Sequence, residues 1–186
     1  MSKVKVGVNK FYYAKQTTEE TASAAATYAT PVAVPGLRTV GREVESNTNT
    51  LYADNGPFDT DTAMGDITVS LELAELPLDV QADLLGGTYD TTNKTLTRKS
   101  SDTAPYVAIM FEGTMADGSK RCVKLYKGKF AIPDDNYKTK EENIEWQPET
   151  IEGKFVALKN NKEWEFVQDF AAADSDASFF ASVLSS

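Results

Sequence analysis

Three carboxylates, Asp54, Asp59 and Asp61, gather about an Asn-Gly-Pro turn in YADNGPFDTD, with Asp66 a little further on. Several oxygen ligands on one short segment are what a hard cation such as calcium requires. The spacing fails that test. With Asp59 at the first ligand position, Ala63 falls at the fifth, Met64 where the sharp turn needs glycine, and Ser70 where a bidentate Glu belongs. Glu72 with Glu75, or Glu141 with Glu142, has the chemistry of a glycosidase acid and base. Among 28 Asp and Glu residues such neighbours arise by chance, and they read as solvated surface. Gly86-Gly87 follows a helical pattern instead of opening one, so it does not make a phosphate cradle. Trp146 and Trp164 have faces that can stack on a sugar or a base, although a core position is the commoner use of tryptophan.

The chain contains no histidine, which removes Ser-His-Asp and Cys-His activation of a nucleophile, the imidazole acid/base group and the imidazole metal ligand. No catalytic constellation is found, and neither a cofactor nor a metal is expected. Cys122 is the single cysteine, so no internal disulfide forms, and its place in RCVKLY suits a small buried side chain. MSKVKVGVNK has no apolar run behind its lysines and does not read as a secretory signal. No stretch approaches the roughly 20 apolar residues of a membrane helix. The expectation is a soluble protein made in a cytoplasm.

At 186 residues the chain fits one domain, and 41% apolar content suffices for a sizeable core. Net charge is −9, unevenly spread: Glu43 to Asp90 holds eleven acids and no base, whereas Lys94 to Lys138 holds nine bases and five acids. Two oppositely charged faces suit head-to-tail association with copies of the same chain. The acidic total disfavours nucleic-acid binding through a basic patch, though not close passage of DNA.

The elements that position these charges are mostly strands. In DITVSLEL, Ile67, Val69, Leu71 and Leu73 fall on one face and Thr68, Ser70 and Glu72 on the other. VKVGV, FYYA, GLRTVGREV, PYVAIMFEG, KRCVKLYKGKF, IEGKFVALK and KEWEFV have strand content. Asp117-Gly118 and Asn160-Asn161 are predicted hairpin turns. LPLDVQADLLGG predicts one short helix, with Pro77 in its first turn, Leu78, Ala82 and Leu85 along one face, and Gly86 closing it. Two excursions stand out, Lys15 to Gly36, rich in Thr and Ala with little periodicity, and Ser46 to Gly65, long, polar and turn-rich, and loops of that length tend to be functional. The terminal FAAADSDASFFASVLSS reads either as a docking arm or as a frayed tail. The fold class is mainly β: an antiparallel β-sandwich with one short flanking helix and extended loops or arms.

NTNTLYADNGPFDTDTAMGDITVSLELAELPLDVQADLLG, then YVAIMFEGTMADGSKRCVKLYKGKF and NYKTKEENIEWQPETIEGKF, resembles the major tail protein of long, non-contractile-tailed bacteriophages, which builds the tail tube. GVNKFYYA fits the same pattern, and the likeness runs from about Lys3 to about Phe170. It implies a tail-tube β-sandwich over 1–170 with an interface loop at about 46–65; residues 171–186 lie outside the resemblance and read as a C-terminal arm or tail. It further implies a structural virion protein, assembled in the host bacterial cytoplasm, that forms stacked hexameric rings as the conduit for genome delivery. Its partners would be itself, the tape-measure protein and the tail initiator, distal tail and terminator proteins. Double-stranded DNA would pass without specific binding, and no membrane is involved.

On this reading the loop leaves its own sandwich and contacts a neighbour in the next ring. Leu51, Tyr52 and Phe58 are its apolar anchors, Asn55, Gly56 and Pro57 its turn, and Asp54, Asp59 and Asp61 meet bases of a segment such as Lys120 to Lys129. Asp66 and Glu72 are candidates for an acidic lumen, because DNA carries one charge per roughly 1.7 Å of axis and a basic wall would hold it. Two other classes stay in view. A monomeric β-sandwich binding carbohydrate or a surface receptor through Trp146 or Trp164 would keep one mobility at every concentration. A hydrolase built on Asp and Glu would lose turnover on loss of single carboxylates.

Overall fold

The computed structural model describes residues 3–53, 56–134, 139 and 147–184, apart from the side chains of 51–53, 57 and 58. VKVGV and FYYA are one strand, β1 (Lys5–Thr18), whose register on its neighbour shifts between Asn9 and Phe11, where Lys10 takes φ +47°. The first excursion is not a free loop. Its short strands β2 (Thr27–Tyr28) and β3 (Val32–Val34) turn back and pair with β1. Strands β4 (Leu37–Ala53) and β5 (Gly56–Leu73) follow as one long hairpin, so the second excursion is not a loop either. After helix α1 (Leu78–Leu85) comes a small separate hairpin of β6 (Thr88–Asp90) and β7 (Thr95–Thr97).

Strands β8 (Val107–Met115) and β9 (Lys120–Phe130) form the predicted hairpin at Asp117-Gly118. Gly118 has φ +82°, which glycine adopts without a Cβ penalty, and Asp117 Oδ1 accepts from the Ser119 N–H at 3.0 Å. β10 (Glu149–Phe155) and β11 (Glu165–Phe170) flank the reversal at Asn160-Asn161, but they do not pair with each other. Both lie along β9 instead, β10 on Gly128–Phe130 and β11 on Lys120–Leu125. The turn's positive φ, +64°, belongs to Lys162 and not to either asparagine.

The result is a β-sandwich made by folding one antiparallel sheet, ordered β2-β1-β8-β9-β10-β5-β4, over on itself. The seam between β9 and β10 uses the tripeptide Gly-Lys-Phe twice. Phe130 lies opposite Gly153 and Phe155 opposite Gly128, with the two rings edge to face at 5.8 Å. A Cβ on Gly128 would stand 2.5 Å from the Phe155 ring, so each glycine makes room for the other strand's aromatic. Across the fold, Ile67, Val69, Leu71 and Leu73 of β5 share one core with Phe11, Tyr13, Val107, Ile109 and Leu125.

Helix α1 closes that core with only part of the predicted face, Leu85 being buried as expected and Leu78 not. Val80, Leu84 and Leu85 are buried while Leu78 is 43% exposed, and Pro77 precedes the helix instead of opening it. Asp83 sets the rotation by accepting from the Tyr13 hydroxyl at 2.7 Å and the Lys15 ammonium at 2.6 Å. Gly86, with φ +84°, ends the helix as the sequence predicts.

A second core lies on the opposite face of β1, β8 and β9. There Ala14, Ala108, Met110, Cys122 and Tyr126 are covered by Phe179, Phe180 and Val183 from helix α2 (Ala177–Ala181) and the residues after it. Of the two readings of the terminus, the described part therefore follows the docked one. Lys10 joins it to the sheet through Asp176 and Glu112, and Lys124 donates to the Ser182 carbonyl at 2.7 Å. Burial, helped by those two carboxylates, pushes the Cys122 thiol up to about 12, so it stays an un-ionised packing group.

Candidate functional site

The sequence placed its candidate interface at 46–65, and the structure turns that stretch into a ribbon. β10 pairs with β5 only from Ile67 to Leu73, so beyond Ser46 and Met64 the β4–β5 hairpin has no third strand among the described residues. At about 3.3 Å per residue the ribbon from Ser46 to Ala53 is roughly 25 Å long. Its register sets Asn49 opposite Asp61, Leu51 opposite Asp59, Tyr52 opposite Pro57 and Ala53 opposite Gly56. The backbone thus brings Leu51, Tyr52, Gly56, Pro57, Phe58, Asp59 and Asp61 together at the far end. Asp54 and Asn55 lie outside the described residues, as do Glu141, Glu142 and Trp146. Threonine pairs run up one face, with Thr48 and Thr62 hydroxyls at 3.2 Å and those of Thr50 and Thr60 at 3.4 Å. A two-stranded ribbon is marginal in water by itself.

Asp59 accepts from the Thr60 N–H at 2.8 Å, and among the described residues neither it nor Asp61 has an ion pair. The bases named as their counterparts are engaged inside the subunit. Arg121 holds Asp169 in a two-pronged pair at 2.7 and 2.8 Å, and Lys120 donates to the Asp174 carbonyl at 3.1 Å. Lys124 is buried and reaches carbonyls of the terminal segment, Lys127 is buried against Glu20, and Lys129 lies 4.3 Å from the Tyr106 ring centre. A neighbour's acids would have to displace these partners, so the Lys120–Lys129 strand is a poor receiver as a whole.

Asp66 and Glu72 fall on the face of β5 turned away from the core. Asp66 meets Lys154 at 2.7 Å, and Glu72 meets Arg38 at 2.9 Å and the Thr39 hydroxyl at 2.8 Å. Glu152 and Glu43 share this face, opposite Ser70 and Thr68. Four acids against the two bases Arg38 and Lys154 leave it net negative.

The first excursion shows the opposite use of charge, which no local pattern announces. Glu20 and Lys127 side chains are 0% and 2% exposed and meet at 2.8 Å. Gln16 Nε2 and the Lys159 N–H also donate to the carboxylate, at 2.8 and 3.2 Å. Burial by itself would raise the Glu20 pKa, but the Lys127 ammonium and these donors bring it down to about 2. A charged residue in a Thr- and Ala-rich stretch is the only sequence trace of this clamp.

One more feature escaped the sequence. Where the two limbs of the sandwich diverge, a trough of about 410 Å³ opens between β4 and the ends of β1, β8, β9 and β11. Val8, Val40, Phe111, Val123 and Val167 floor it. Arg42 crosses its wall to pair with Glu165 and lies 5.6 Å from the Trp164 ring centre. Trp164 also packs on the main core, which takes its face away from a sugar.

The chain was compared with known proteins. A family model described as phage tail tube protein matches residues 42–182, which includes the ribbon, the sheet strands from β5 to β11 and most of the terminal segment, while β1, β2 and β3 precede the match. No curated protein matches the chain.

Proposed function

This chain belongs to the phage tail tube protein family, a structural component of the virion tail, and from that premise we propose that it assembles as six-membered rings stacked into the hollow conduit for the genome. The ribbon carries this reading: an acid-rich projection of roughly 25 Å with no third strand among the described residues is what one subunit needs to engage another in the next ring. Tip and receiving surface are unlike, and heterologous contacts of that kind close into rings or run on as filaments. The ribbon residues Leu51, Tyr52, Asp54, Asn55, Gly56, Pro57, Phe58, Asp59 and Asp61 form the inter-subunit contact. The outward face of β10, β5 and β4, with Asp66 and Glu72, lines the lumen.

Paired with Lys154 and Arg38, those two acids act as part of a weakly negative wall rather than as free charges. Only wall charges within about 8 Å of the duplex matter at physiological salt. The tape-measure protein fills the tube before DNA, and the initiator, distal tail and terminator proteins bound its ends. Assembly occurs in the host bacterial cytoplasm.

Electron microscopy of the full chain, concentrated with its tape-measure protein and initiator complex, tests the proposal. Sixfold rings and stacked tubes are expected, with the β10-β5-β4 face inward and acids in excess there. Absence of rings and tubes overturns the assembly reading. A tube whose inner wall carries mostly Lys and Arg overturns the lumen assignment.

A further inference from the structure

We infer that the trough between β4 and the β8-β9-β11 limb is the seat for the ribbon tip of a second copy of this chain. The inference rests on the assembly reading above and names the surface that receives the ribbon. The first argument is distance along one strand. Val40 and Arg42 of β4 line the trough, while the tip begins at Ala53 of the same strand. Eleven residues of strand span roughly 36 Å, so a subunit's own tip stands far from its own trough. Tip and seat are therefore unlike surfaces held apart along one strand, which makes the contact head-to-tail and repeatable from copy to copy.

Chemistry supplies the second argument. In a chain of net charge −9, the charged residues lining the trough are Lys5, Arg42 and Arg121 against Glu165 alone. Lys5 has no ion pair among the described residues, so it is open to an incoming carboxylate. Residues 43–65 carry five acids and no base, which is the complementary charge. The apolar halves match as well. The trough floor is valine and phenylalanine, with Val167 45% exposed at its edge, and the ribbon tip contributes Leu51, Tyr52 and Phe58. Aromatic and leucine anchors in an apolar pocket supply affinity, while the surrounding charges set orientation. The competing site, the Lys120–Lys129 strand, has its bases engaged within the subunit, Arg121 with Asp169 included, and in the trough Arg42 is paired with Glu165, so Lys5 is the base there that meets the incoming acids.

Two single variants of the full chain test the seat. Val167→Cys places a thiol at the trough edge, and Thr60→Cys places one on the ribbon, both at exposed positions. Each is purified separately, then the two are mixed with tape-measure protein and initiator, and treated with a short bismaleimide. The buried Cys122 leaves the wild-type chain as the control. A covalent dimer that forms only in the mixed, assembled sample is expected. Normal tubes without that dimer overturn the seat while leaving the assembly reading intact. Failure of wild-type chain to form tubes at all removes the assembly reading, and the seat with it. Lys5→Glu is the second probe: it should fold normally and lose tube growth, and growth at the wild-type rate overturns the charge match.

Discussion

Residues 15–36 and 46–65 look alike in sequence, yet the structure treats them oppositely. The first returns to β1 through β2 and β3 and inserts Glu20 beside a buried lysine. The second leaves as a ribbon whose acids at 59 and 61 find no base among the described residues. The contrast separates two uses of a carboxylate. A charge that folds the chain is removed from water and given a partner of its own. On the proposed assembly, a charge kept for association stays hydrated until another copy arrives.

Removing the folding charge gives the largest effect. Glu20→Ala leaves the Lys127 ammonium buried without its carboxylate, and losing one member of a buried pair costs about 3–5 kcal/mol. Urea denaturation of the isolated subunit should show a loss of that size. The double variant Glu20→Leu with Lys127→Met should regain most of it, because two apolar groups need no partner. A loss below about 1 kcal/mol, the range of surface pairs, would put the clamp in the same class as the ribbon acids and erase the contrast.

Acid removes part of the same interaction. The Glu20 carboxyl is depressed from its ordinary 4.5 to about 2 in the folded chain, so its contribution is full above pH 4.5 and is lost as pH falls through that window toward 2. Stability measured between pH 6 and pH 2 should therefore fall less steeply in Glu20→Gln than in wild type. Equal slopes for Glu20→Gln and wild type would mean that the clamp does not set the acid limit.

The same contrast explains what could be read in advance. DITVSLEL was legible because one buried face imposes a period of two on the sequence, and the structure buries Ile67, Val69, Leu71 and Leu73 accordingly. The NTNT and DTDT runs of the ribbon are polar at every position, so alternation disappears and a strand of the same hairpin reads as a loop. Its threonines, strand formers that pair across the ribbon, were the available signal. Glu20 and Lys127 stand 107 positions apart, and nothing local to either announces the other. The helix was visible but only part of its face was, because Asp83 fixes the rotation through Tyr13 and Lys15 on a distant strand. The trough depends on how far two limbs of one sheet diverge, which only the folded chain determines.

The smallest expected effect on folding is the one that isolates the ribbon. Ser46 and Met64 are directly opposed, so residues 47–63 can be replaced by Asn-Gly, the two-residue turn whose twist suits a hairpin. Nothing in either core is removed: the buried residues of β5 begin at Ile67, and on β4 the packed side chains are Leu37, Val40 and Val44. The shortened chain should unfold in one cooperative transition within about 0.5 kcal/mol of wild type, as surface changes do. It should also give no stacked tubes with tape-measure protein and initiator. Tubes of normal length would show that stacking does not use the ribbon. A loss of several kcal/mol would show that 47–63 supports its own subunit, which would place it beside 15–36 as a folding element and remove the distinction between the two.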